Sequence, residues 1–165
     1  MKAYNAEDLK TFTAGLFTGD VFDGFLLQEA EFTTCCSFSV DGKACREWFE
    51  DETPEQEHTE EYCSWKDIRP FCFGLIRGKR KPVRFRIVLR CSPEQAERFI
   101  KEEELPVSIS DIGGLFLNIR YESGKLVCIS MASMNTFTAD RTLENAWDRN
   151  AEKFFLSGRI AVSAE

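Results

Sequence analysis

The stretch Val83-Arg84-Phe85-Arg86-Ile87-Val88-Leu89-Arg90 alternates apolar side chains with arginines. A period of two sets Val83, Phe85, Ile87 and Leu89 on one flank and Arg84, Arg86, Val88 and Arg90 on the other. The octet is therefore expected to be a strand with a buried face and a guanidinium-bearing face. Before it, Lys79-Arg80-Lys81-Pro82 reads as a turn and Asp67 to Gly78 as a short helix. Between Asp67 and Glu94 lie eight basic residues and no acidic one, although the formal net charge of the chain is -7.

Working outward, Pro70 constrains the preceding helix, because proline lacks an amide donor and is tolerated only in a first turn. Asp67 is accordingly expected as its N-cap, with Ile68, Phe71, Cys72, Leu75 and Ile76 facing inward and Gly78 ending it. After the strand, Ser92-Pro-Glu-Gln95 carries a capping-box start with proline at the first helical position. Ala96, Phe99 and Ile100 form the apolar stripe of that helix.

Towards the N-terminus, Asn5 is expected to cap a helix bearing Leu9, Phe12, Leu16 and Phe17 on one face. Phe25 to Ala30 and Phe32 to Val40 read as strands. Asp41-Gly42 reads as a hairpin turn into a returning strand, Lys43 to Phe49. Glu47 to Glu61 holds eight acids and no Lys or Arg, so a solvated, mobile loop is expected there, with a helical turn possible at Thr53-Pro54.

Towards the C-terminus, Asp111-Ile-Gly-Gly114 reads as a turn. Leu115 to Tyr121 and Leu126 to Met134 are expected to pair around Glu122-Ser-Gly-Lys125. Leu143, Ala146, Trp147, Ala151, Phe154 and Phe155 recur at helical spacing and must dock on a sheet or a partner. Gly158 suits the end of that helix, and Arg159 to Glu165 is a tail or short edge strand. Burial within the domain is the default for the stripe, and a homodimer anchored by Trp147, Phe154 and Phe155 is the second option.

Hairpins with helices on one side imply an α+β domain with antiparallel sheet and about four helices. Two helix-plus-three-strand halves, Ala6 to Phe49 and Ile68 to Met134, are one arrangement of it. At 165 residues the chain fits a single domain, the acidic loop at 47–61 standing between the halves. No apolar run approaches the roughly 18 residues of a membrane span, and Met1 to Lys10 lacks the apolar core of a signal peptide. A soluble, cytoplasmic protein is expected. Seven cysteines, without C-x-x-C spacing, are expected to be reduced small hydrophobes rather than disulfide or zinc ligands.

Catalytic sets are wanting. His58 is the only histidine, which excludes a two-histidine metal site, and no G-x-S-x-G elbow occurs. Gly74 to Lys79 is one residue short of phosphate-loop spacing and lies between helix and strand in the wrong order. No metal or cofactor is called for. The candidate site is instead basic: Lys79, Arg80 and Lys81 at the turn with Arg84, Arg86 and Arg90 on the strand, suited to oxyanions by the planar guanidinium fork. Against it stands self-neutralisation, either by the acidic loop or by cross-strand glutamates.

The string Trp65-Lys-x-Ile68-Arg-Pro70-x-Cys72-Phe-x-Leu75-Ile-x-Gly78-Lys79-x-x-Pro82-x-x-Phe85-x-Ile87-Val-Leu89 resembles the central signature of a group of small bacterial proteins of unknown function. That resemblance implies no activity and transfers no functional residue. The helix-plus-three-strand layout is similar to half of a DNA sliding clamp, at the level of fold alone. The expected function is thus a non-enzymatic binding or accessory module for an anionic partner. Alternatives are a clamp-like nucleic-acid module, or a small enzyme whose acids meet only in the fold.

Overall fold

The basic stretch is a strand, β4 (Arg84–Arg90), in a computed structural model that describes residues 1–50 and 60–165. In chain order the elements are β1 (Lys2–Ala6), α1 (Leu9–Phe17), β2 (Leu26–Thr33), β3 (Ser37–Asp41), α2 (Trp65–Ile76), β4, α3 (Pro93–Glu102), β5 (Ile112–Glu122), β6 (Lys125–Met134), α4 (Thr142–Ser157) and β7 (Val162–Ala164). Short 3-10 turns occupy Arg46–Phe49 and Ile109–Asp111. The strands form one antiparallel sheet, ordered β3-β2-β4-β5-β6-β1-β7. The molecule is α+β with four helices among the described residues, as the hairpin pattern implied, but it is not built of two helix-plus-three-strand halves: Ala6 to Phe49 supplies only β2 and β3 after α1, and both belong to the same continuous sheet as the later strands.

Register explains why the sheet has one greasy side. Phe32, Phe85, Tyr121 and Leu126 lie in one cross-strand row, and Ala30, Ile87, Ile119, Cys128 and Tyr4 in the next. All nine are buried, and they join a single core with residues of all four helices. Each large side chain so buried contributes about 1.5–3 kcal/mol. Phenylalanine dominates this layer: Phe17 meets Phe85 edge-on at 5.5 Å, and Phe85 stacks on Tyr121 at 5.1 Å. Val88, by contrast, is buried but stands apart from that core, on the opposite face with the arginines.

Several local features match the pattern. Ser92 accepts from the Gln95 amide at 3.2 Å while the Gln95 side chain accepts from the Ser92 amide at 2.9 Å, completing the capping box. The β5–β6 hairpin turns at Ser123 and Gly124, both with positive φ (53° and 78°), as a tight turn requires. In α4, Trp147 and Phe155 are buried in their own domain, Trp147 donating its indole N–H to the Phe116 carbonyl at 3.0 Å. Phe154 packs on Phe22 and Phe25. These rings are occupied within the chain and are not offered as dimer anchors.

Elsewhere the structure corrects the sequence. Asn5 lies in β1, paired with Val127 and Ser163, and Asp8 caps α1 instead. The chain turns between β2 and β3 at Thr34 to Cys36, not at Glu31, so that Ala30 and Phe32 stay in register on the buried face. Asp41-Gly42 is no hairpin turn: a Cβ on Gly42 would fall 1.8 Å from the Leu27 carbonyl oxygen, so glycine serves there for close approach. The expected strand at Lys43 to Phe49 is reduced to one bridge, Lys43 with Tyr62, and a 3-10 turn.

The helix α2 begins before Asp67, at Trp65, and carries Pro70 in its interior. Tertiary contact outweighs the proline: Trp65 is 0% exposed and donates its indole N–H to the Leu16 carbonyl at 2.9 Å, and its amide to Phe25 at 3.0 Å. Of the residues expected to face inward on α2, Phe71 is exposed. Asp111 to Gly114 is not a free turn, since β5 begins at Ile112 and bulges before Gly114. All seven cysteines are free; Cys72, Cys91 and Cys128 are buried, whereas Cys35, Cys36 and Cys45 are exposed and so are not core hydrophobes. The Thr53-Pro54 turn, His58 and most of the acidic loop fall outside the described residues.

Candidate anion-binding face

The four helices contribute to one core beneath the sheet, and the arginines project from the other side. Arg84, Arg86 and Arg90 do not form a bare basic patch. Arg84 faces its register partner Glu122 at 4.0 Å, and Arg86 reaches Glu29 on β2 at 2.8 Å. Cross-strand glutamates, one of the two counter-charges foreseen, neutralise this end. The other, the acidic loop, lies almost wholly outside the described residues.

Arg90 is held differently. Its Nη1 donates to the Gln28 side-chain oxygen at 2.7 Å, and its guanidinium lies 4.4 Å from the Tyr62 ring centre and 5.3 Å from that of Phe116. Two aromatic faces and an amide fix the plane of the fork without neutralising it. Among the described residues Arg90 has no carboxylate partner, and its Nε, like that of Arg86, is buried without an acceptor. Such a donor keeps its desolvation cost until an acceptor arrives.

Backbone placement builds this clamp. Leu27 donates its amide to the Cys63 carbonyl and Cys63 to Gly42, both at 2.8 Å, which brings Tyr62 over the sheet. The Phe116 ring lies against Gly114, where a Cβ would sit 2.5 Å from it. Arg120 stands opposite Arg86 on β5 and donates to the Asn118 side-chain oxygen at 3.5 Å, with no ion pair among the described residues. Met131 completes the neighbourhood through Asn118 at 3.8 Å.

The six candidate residues are therefore not one site. Lys79, Arg80 and Lys81 are exposed at the turn before β4, whereas Arg90 ends it, about 20 Å further along a seven-residue strand. Arg69, within the same basic stretch, is structural: it forks onto Asp23 at 2.8 and 3.2 Å and bonds the Phe17 carbonyl at 3.1 Å. Sequence reading missed Gln28, Tyr62, Phe116 and Arg120. Phe116, Asn118 and Arg120 were within reach, since they alternate with the buried Leu115, Leu117, Ile119 and Tyr121. Tyr62 carries no such signal.

No group of three or more candidate metal ligands occurs among the described residues, and no described helix is long and apolar enough to cross a membrane. A family model described as a family of unknown function (DUF5721) matches residues 15–163. No curated protein and no solved structure matches the chain.

Proposed function

The chain belongs to this family of unknown function, and from that premise we propose a non-enzymatic binding module that takes an oxyanion-bearing partner on its open sheet face. Arg90 is the anchor and Arg120 its support, with Arg84 and Arg86 tied to glutamates and contributing field rather than free forks. One observation carries this reading: a half-buried guanidinium, oriented by Tyr62, Phe116 and Gln28, that lacks a carboxylate among the described residues. A cation fixed in this way presents donors without the entropy cost of ordering a long side chain.

Retention on phosphate resin tests the binding reading. Arg90→Ala combined with Arg120→Ala should lose retention while the circular dichroism spectrum is unchanged; full retention by the folded double variant sinks it.

A nucleic-acid module is the second reading, and Tyr62 and Phe116 favour it by placing aromatics on the arginine face, as base stacking needs. It requires affinity for single-stranded oligonucleotide that falls steeply as salt rises from about 50 to about 200 mM. Retention on phosphate resin without oligonucleotide affinity leaves the first reading alone.

A further inference from the structure

The turn lysines have a role of their own. Lys81 and Pro82 do not reach the arginine face; they line a groove of about 810 Å³ on the helical side, between α1 and α2 at the end of the sheet. Its floor is the stacked pair Phe85 and Tyr121, and its walls are Phe17 and Ala14 from α1 with Phe73 and Ile76 from α2. Close-packed domains leave few voids, and this volume falls in the range of roughly 300–1,000 Å³ typical of small-molecule sites.

The lining carries two acids, Glu7 and Asp8, and two lysines, Lys10 and Lys81, which differ in how far other groups already engage them. Asp8 is committed to capping α1, accepting from the Lys10 and Thr11 amides and the Thr11 hydroxyl. The hydroxyls of Thr13 and Thr18 donate to α1 carbonyls at 2.8 and 3.0 Å. That leaves Glu7 as the uncommitted acid, against Lys10 and Lys81, neither of which has an ion-pair partner among the described residues. Lys81 also follows directly on Lys79 and Arg80, which adds to the positive field on its side.

We propose that this groove binds a small amphipathic anion, an organic carboxylate or sulfonate whose apolar body rests on the Phe85–Tyr121 floor while its head meets Lys81. The site is separate from the Arg90 clamp, being on the opposite face of β4. The chemistry of the lining selects the ligand: aromatic and aliphatic walls accept an apolar body, and the exposed Lys81 ammonium at the edge offers one charge contact to an anionic head.

The dye 1-anilinonaphthalene-8-sulfonate, an apolar aromatic monoanion, is the probe, and decanoate the competitor. The folded protein should give saturable enhancement with one dye per chain, displaced by decanoate. Ala14→Trp, at an exposed wall position, should abolish it without changing the melting temperature, and Lys81→Ala should weaken it about fivefold, the size of one exposed charge contact. Arg90→Ala should leave it unchanged, which separates this site from the sheet face. Absence of saturable enhancement, or full binding by folded Ala14→Trp, overturns the site. Unaltered affinity in Lys81→Ala, or equal displacement by decanol, overturns the anionic assignment.

Discussion

Arg86 on β4 and Arg120 on β5 are register partners, two cations directly across one strand pair. Like charges so placed repel, and only Arg86 has a carboxylate, Glu29 at 2.8 Å. The sheet face thus carries an unfavourable pair that an anion would relieve.

Arg120→Glu should therefore separate stability from binding. It gives Arg86 a second acid neighbour and is expected to raise unfolding free energy by about 0.2–1 kcal/mol, the range of cross-strand charge pairs. Phosphate-resin retention should fall in the same variant. Urea denaturation beside the column assay reads both, and a destabilised variant would contradict the repulsion.

Gly42→Ala is expected to be severe. Its Cβ would fall 1.8 Å from the Leu27 carbonyl oxygen, a backbone atom that also stands at the crossing holding Tyr62 over Arg90. A loss of about 3 kcal/mol or more is expected, as for the strongest single-site backbone effects. Chemical denaturation measures it, and a change under about 0.5 kcal/mol, the usual surface range, would mean the crossing relaxes freely.

Pro70→Ala should stabilise. Pro70 is exposed in the interior of α2, where it leaves the carbonyl four residues earlier without its helical amide donor. The helix-interior penalty of roughly 3 kcal/mol, less about 1 kcal/mol for a freer unfolded chain, gives a gain of about 2 kcal/mol. Thermal melts of the two proteins check the direction.

Alkaline pH should unfold the protein early. Burial raises the Cys72 and Cys91 thiols from 9.0, and the Tyr4 phenol from 10.0, to about 12 in the folded state. The folded chain then holds more protons than the unfolded one, so stability is intact below pH 9 and declines as pH rises towards 12. Each group contributes a slope of up to about 1.4 kcal/mol per pH unit. Urea midpoints between pH 8 and pH 11 should show the fall, and Cys72→Ala should shallow it.

Local rules were legible where one residue's neighbours in sequence are also its physical partners. The Ser92 cap, the Ser123-Gly124 turn and the α4 stripe depend on chemistry three or four residues away, and each appears as read. Pro70 and Gly42 misled because their partners are distant. Trp65 holds the start of α2 through Leu16, and Gly42 answers to Leu27 rather than to a turn.

By itself, then, the sequence determined that the octet 83–90 is extended, greasy on one flank and cationic on the other, because side-chain alternation in a strand follows from backbone geometry alone; the exception is Val83, which lies just before the strand and is exposed. It could not say which cations remain free. Only the tertiary structure decided that Glu29 and Glu122 pair with Arg86 and Arg84, that Tyr62 and Phe116 orient Arg90, and that Lys81 belongs to a groove on the other face. Charge pairing acts over a few ångströms in space, and strand order sets those distances where spacing along the chain does not.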